Sequence, residues 1–220
     1  RLSFTTKIVL VGFVVLLTFG TLFFYLTEPT IIALRGSSRV YAAFFQAMSA
    51  MTTVGFNTVD FGQFALPLIL VTIILMYIGA SPSGTAGGIK ITTLTAVVAI
   101  MKSRLQGRKK ITFLGRSIPF ERLYIATSSF IFYTSLIVLG TFILSYSEGF
   151  SFDALLFEVA SALGTVGIST GITPDLSSIG KLVIIILMFI GRLGVLTFGL
   201  AIWYREANPS VSMIEDDIAV

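Results

Sequence analysis

Thr53-Val54-Gly55 and Thr165-Val166-Gly167 carry no acid, base, thiol or imidazole, yet the same tripeptide stands twice in one chain, within TTVGFNT and GTVGIST. The chemistry open to such residues is that of the backbone. Carbonyl oxygens turned toward one axis can replace the water around a potassium ion. Glycine supplies the unusual φ/ψ that this needs, and valine can pack outward to hold the segment. Two further features break an otherwise apolar chain: Arg192 within GRLG, and the small-residue run GASPSGTAGGIK at 79–90.

Composition narrows the alternatives. The 220 residues include no cysteine and no histidine. That removes a disulfide framework, a thiolate nucleophile, a zinc site and an imidazole acid/base; the expectation is a protein that is not an enzyme and has no covalently bound cofactor. Hydrophobic residues make up 55% of the chain and charged residues only 12%. A soluble domain carries about twice that charge, so the solvent is lipid. The net charge of +4 does not point to nucleic acid, because seven of the fifteen Lys/Arg lie between Lys102 and Arg122, flanked by apolar runs. That is the positive-inside pattern of a cytoplasmic loop.

The elements that must position the two tripeptides follow from the apolar runs. Ile8 to Thr27 is long enough to span and is stopped by Glu28-Pro29. Val40 to Met51 is too short to cross and fits a re-entrant half-helix that leads into TTVGFNT. Phe64 to Ile78 and Ile91 to Met101 read as one crossing interrupted by 79–90. After the basic loop, Pro119 opens a span over Leu123 to Tyr146, Ala154 to Leu163 forms a second half-helix before GTVGIST, and Leu182 to Tyr204 reads as an uninterrupted span.

At an offset of 112 residues the two parts align without a gap. Ser49-Ala50 meets Ser161-Ala162, Thr58 meets Thr170, Leu75-Met76 meets Leu187-Met188, and Ile78-Gly79 meets Ile190-Gly191. Each unit holds two crossings and a re-entrant loop, so both have the same orientation. The expected fold is an all-α membrane protein of two parallel span–half-helix–span repeats. Residues 1–106 form the first, 107–118 a cytoplasmic basic linker, 119–205 the second, and 206–220 a cytoplasmic tail. Arg1, Lys7 and Arg205 share the cytoplasmic side; the tripeptide loops enter from outside, under Asp60, Glu148, Asp153 and Asp175. The partly negative C-terminal end of each half-helix points at its loop and favours a cation.

With AMSAMTTVGFNT and ASALGTVGIST in hand, the chain resembles the C-terminal half of a Ktr/Trk/HKT-superfamily potassium transporter, closest to the KtrB-type membrane subunit. Such a chain carries four repeats around one pore, each giving one filter segment. The resemblance makes Thr53, Val54, Gly55 and Phe56 one segment and Thr165, Val166, Gly167 and Ile168 another, holding K+ by backbone carbonyls. It makes 79–90 an intramembrane gate, with Gly79, Ser81, Ser83, Gly84, Thr85, Gly87, Gly88 and Lys90, and gives Arg192 the role of a pore barrier in contact with that gate. The plainer alternatives are a Gly/Pro kink for 79–90, snorkelling for Arg192, and an interface marker for Lys90. Glu158, Asp60 and Asp175 either concentrate cations at the outer mouth or act as helix-terminal and turn carboxylates.

The resemblance also implies a bacterial cytoplasmic membrane, K+ and Na+ as transported or regulatory ions, a homodimer of full subunits, and a cytosolic nucleotide-binding regulatory subunit of the KtrA/TrkA kind. Membrane lipid is the solvent and nucleic acid is not a partner. Because Arg1 opens directly on an apolar run, the chain reads as an internal segment whose remaining N-terminal repeats, or a second chain, complete the pore. Two rival readings are a secondary-active carrier with alternating access and a two-repeat cation channel that dimerises into a fourfold pore. The carrier would show inverted repeats and midplane carboxylates.

Overall fold

Ser3 accepts a hydrogen bond from the Thr6 amide at 3.1 Å and so starts α1 (Phe4–Thr27), which Glu28 ends in an extended conformation. The computed structural model describes residues 2–79, 87–108 and 110–203. Glu28 also caps a single turn, α2 (Pro29–Ile32), with proline at the first position, where its missing amide costs nothing. The half-helix α3 (Ser37–Met51) is 15 residues, about 22 Å, too short to cross. After the first tripeptide loop, Asp60 caps a 3₁₀ turn (Phe61–Gln63), and α4 (Leu66–Tyr77) follows.

The broken crossing then takes a specific form. Strand β1 (Ile78–Gly79) pairs in parallel with β2 (Ile89–Lys90), register Ile78↔Ile89 and Gly79↔Lys90. The chain on either side of 80–86 therefore stands at one level, joined by this pairing. Helix α5 (Ile91–Leu105) continues from β2. The second unit comprises α6 (Phe120–Ser147), α7 (Phe152–Leu163), a 3₁₀ turn (Thr173–Asp175), α8 (Ser178–Leu193) and α9 (Val195–Trp203). Among the described residues α1 and α6 are each long and apolar enough to cross a membrane, and the bent pair α8–α9 is a third candidate.

Lipid gives helices no hydrophobic reason to associate, so small residues that permit close approach decide where they meet. Gly20 of α1 faces Leu75 and Ala47; Gly140 of α6 faces Leu187 and Val159. Leu75 and Leu187 are 112 residues apart, as are Ala47 and Val159, so each long helix meets the same two positions of its own unit. Phe24, Met51, Phe61, Phe157, Val166 and Ile168 form one buried cluster across both units, with the Phe61 and Phe157 rings 5.8 Å apart.

Three expectations need correction or lie out of view. The run from Leu182 is not an uninterrupted span: it bends by 99° between α8 and α9. Gly194 takes φ 89° there, a conformation cheap only for glycine, and its amide closes α8 on the carbonyls of Ile190 and Gly191. The all-α expectation also misses two strand pairs. Besides β1–β2, the basic linker holds a hairpin, β3 (Thr112–Phe113) with β4 (Arg116–Ser117), turned at Leu114 and Gly115, both with positive φ. Leucine hid the turn, since asparagine or aspartate normally signals it. Ser81, Ser83, Gly84 and Thr85 of the expected gate, and the tail 206–220, lie outside the described residues.

Glu148 joins the C-terminal end of α6 to the N-terminal end of α8. Its carboxylate accepts from Ser177 Oγ at 2.5 Å and from the Ser177 amide at 3.0 Å, and these bonds, the side-chain one first, hold its pKa below the ordinary carboxylate value. A lowered folded pKa means the clasp stabilises fully above the unfolded value and is lost as pH falls through the folded one. Glu148→Gln is therefore expected to lower the melting temperature at neutral pH. The gap from wild type should close in acid, below about pH 4, as thermal scans in detergent at several pH values would show.

Candidate functional site

The two tripeptide segments leave their half-helices in the same way. Thr53 and Gly55 have φ 57° and 84°; Thr165 and Gly167 have φ 55° and 89°; Val54 and Val166 between them do not turn positive. An ordinary pleat sends successive peptide groups to opposite sides, and a left-handed residue at every second position breaks that alternation. Ser49 and Ser161, the aligned serines of α3 and α7, brace the segments. The Val54 amide donates to Ser49 O at 3.1 Å, and the Val166 amide to Ser161 O at 2.9 Å. The segments lie side by side: a Cβ on Gly55 would strike the Val166 carbonyl.

The copies then diverge. Ser161 Oγ accepts from the Gly167 amide at 3.1 Å, whereas Ser49 Oγ donates to the Phe56 carbonyl at 2.5 Å. The Phe56 oxygen, one of the expected filter carbonyls, is thus engaged by the half-helix. Val166 and Ile168 are buried in the cluster shared by both units, while Val54 and Phe56 are exposed. Outward packing of valine therefore holds for the second segment only, because α3 and α4 cover it.

Beyond each segment a side chain of the half-helix reaches up to the exit. In α3, Gln46 Nε2 donates to Thr58 Oγ1 at 2.5 Å, and its buried Oε1 has no partner among the described residues. In α7, Glu158 is 4% exposed and accepts from Ser169 Oγ at 2.5 Å, the Thr170 amide at 3.0 Å, Thr170 Oγ1 at 3.3 Å and Thr173 Oγ1 at 2.6 Å. Such bonds to an ionised acceptor contribute about 1.5–3 kcal/mol each. Glu158 is a buried clamp and not a carboxylate at an open mouth. Asp60 takes the turn alternative, accepting from the Gly62 amide at 2.9 Å and from Gln63 Nε2. Gln46 was not singled out from sequence. The signal was present, since Gln46 and Glu158 are 112 residues apart.

Below the segments, the β1–β2 neck and α8 converge on one residue. A Cβ on Gly87 would meet the Gly164 carbonyl and Thr165 Oγ1; a Cβ on Gly191 would meet the Leu163 carbonyl and Thr165 Cγ2. A Cβ on Gly88 would press on the Gly79 amide and the Met76 carbonyl, so Gly88 is packed on the end of α4 and on β1. Arg192, next to Gly191, lines two cavities. One, of about 670 Å³, includes Gly87, Gly88, Lys90 and Tyr133. The other, of about 410 Å³, includes Glu158, Thr165, Gly167 and Ile168. Counted from Ser178, Arg192 lies about 21 Å along α8, short of the bend. Gly79, Gly87, Gly88, Lys90 and Arg192 are thus gathered beneath the second segment.

Close packing of glycine on backbone gives a direct test. Gly191→Ala is expected to cost about 1–3 kcal/mol, because the Leu163 carbonyl cannot swing aside as a side chain would. Gly149→Ala, with open space around it, is the matched control. Thermal stability in detergent should fall for the first and stay level for the second.

Known proteins share this architecture. The TrkH family model, described as a cation transport protein, matches residues 2–210. Ktr system potassium uptake protein B from Bacillus subtilis is 36% identical over 200 residues, covering 89% of this chain and 45% of that protein. Its namesake from Vibrio alginolyticus is 36% identical over 214 residues, 96% of this chain and 46% of that one. The potassium/sodium uptake protein NtpJ of Enterococcus hirae is 34% identical over 227 residues, with coverages of 99% and 50%. The chain spans about half the length of these relatives. The crystal structure of the potassium transporter TrkH from Vibrio parahaemolyticus matches with a TM-score of 0.71 at 22% identity, over 89% of this chain and 43% of that one, which is a likeness of fold. The chain is an integral membrane protein and belongs to the TrkH family of cation transport proteins.

Proposed function

We propose that this chain is the filter- and gate-bearing half of a potassium uptake pore in a bacterial cytoplasmic membrane. Residues 1–106 and 119–205 act as two parallel repeats, and two further repeats complete a ring around the ion. One observation carries this reading. Both tripeptides place left-handed residues at the same two positions, Thr53 with Gly55 and Thr165 with Gly167, behind matched serines, with Gly55 against the Val166 carbonyl. Backbone in that form offers carbonyls to a dehydrated cation, and the half-helix C-termini of α3 and α7 add a partly negative field. The exposed Val54 and Phe56 fit a surface that the other repeats would cover.

In this reading the segment 79–90 is the gate. Its neck is closed by β1–β2, and its returning limb lies under Thr165. Arg192 supplies a positive charge between the gate side and the filter side, which opposes K+ until the gate moves. The uptake named for the Ktr relatives supports potassium as the ion, and NtpJ makes sodium the second candidate. Full subunits pair as a homodimer on a cytosolic nucleotide-binding subunit, as the Ktr resemblance implies.

Uptake of K+ and Na+ by the full-length protein, in cells lacking other potassium uptake, tests both parts. Gly55→Ser or Gly167→Ser is expected to weaken the preference for K+ over Na+; an unchanged preference in well-expressed variants contradicts the filter. Arg192→Ala is expected to raise K+ flux, and a fall at normal expression would give Arg192 a purely structural role.

A further inference from the structure

Potassium selection by four similar segments does not require each to be held alike, and these two are not. Beyond Phe56, whose carbonyl Ser49 holds, the exit of the first segment is tied to its half-helix by one bond among the described residues, from Gln46 to Thr58. The exit of the second is bound four times to one buried carboxylate, at Ser169, Thr170 and Thr173. Ser169 Oγ and Thr173 Oγ1 also lie 2.9 Å from each other, and Ser169 Oγ accepts from the Gly171 amide at 2.8 Å, which closes the turn on itself. The Ser169, Thr170 and Thr173 hydroxyls and the Thr170 amide all donate to this carboxylate. Glutamine could keep the three bonds at one oxygen, but without the carboxylate's charge, and its nitrogen would have to reverse the bond at Thr173, whose hydroxyl can also accept.

We infer that Glu158 is a positioning residue for ion discrimination: by tying the Ser169–Thr173 turn to α7, it fixes the carbonyls of Gly167 and Ile168. The second segment thereby becomes the rigid member of the pair and the first the compliant one. The tie works from above, while Ser161 fixes Val166 and Gly167 from behind. The whole stretch from Val166 to Thr173 is referenced to one helix. Carbonyls so held cannot close in on an ion smaller than K+, and sodium loses the coordination that would offset its dehydration. Glu158 touches no ion in this account, and its effect passes through the turn. The inference rests on the filter reading proposed above.

The test is made in the full-length protein, with relative K+ and Na+ uptake as the readout and Gly167→Ser as the reference for the filter itself. Glu158→Gln is expected to reduce the K+ preference several-fold. Thr173→Val, which removes one of the four donors from a half-buried turn position, should shift it the same way but less. Because both act on one network, the double variant should fall no further than Glu158→Gln alone. If Gly167→Ser alters the preference while Glu158→Gln and Thr173→Val do not, the inference is overturned and the filter stands. If Gly167→Ser leaves the preference unchanged, the filter reading falls and this inference with it. Reduced uptake at an unchanged ion ratio in Glu158→Gln would mean that Glu158 only supports the fold, and also overturns the inference. Should Glu158→Gln fail to accumulate, Thr173→Val decides alone: an unshifted ratio refutes the positioning role.

Discussion

A peptide group that leaves a helix inside a hydrocarbon layer has no water to bond, so every irregular stretch at that depth must be satisfied by protein or must face a watery space. The two tripeptide segments meet this demand with local partners. Ser49 and Ser161 take the first amides, and Gln46 and Glu158 hold the exits. What the half-helices leave open are carbonyls, the groups a cation can use. The apolar bulk of the chain makes this economical. Long helices α1 and α6 close around each unit through Gly20 and Gly140, and the half-helices need only be long enough to reach the segment.

The same demand shapes the region below. The broken crossing between α4 and α5 solves its backbone problem by pairing with itself, since β1 and β2 share hydrogen bonds at the neck. Gly87 and Gly191 bring the neck and α8 against the base of the second segment, with Thr165 between them. Displacement of Gly87 would therefore be felt first at Gly164 and Thr165. The bend at Gly194 then turns α9 away directly after Arg192, so the arginine ends a helix facing a cavity instead of lying inside a continuous span.

Much of this was legible in the residue order, because its strongest signals were physical. Half-helices too short to cross, a tripeptide repeated in frame, and a small-residue run inside a crossing have few alternative uses in lipid. The alignment also placed Ser49 with Ser161, though not their role. Other features were hidden for identifiable reasons. Gly194 sits in a run as apolar as any span, and nothing in composition separates a straight helix from one bent at a glycine. The Leu114-Gly115 turn lacks the usual asparagine. Glu158 resembled a mouth carboxylate because burial cannot be read from residue type; only its four donors reveal a clamp. The different uses of Ser49 and Ser161, one donating and one accepting, depend on side-chain geometry below the reach of any pattern.

The account stands on the claim that a dehydrated potassium ion sits between these two segments. Anomalous diffraction from crystals of the complete protein soaked in thallium, a potassium substitute, would test it most directly. The account predicts a thallium peak between the carbonyls of Thr53–Gly55 and those of Thr165–Gly167, weakened by competing potassium and less by sodium. Thallium ordered elsewhere along the pore, with none between these segments, would contradict it.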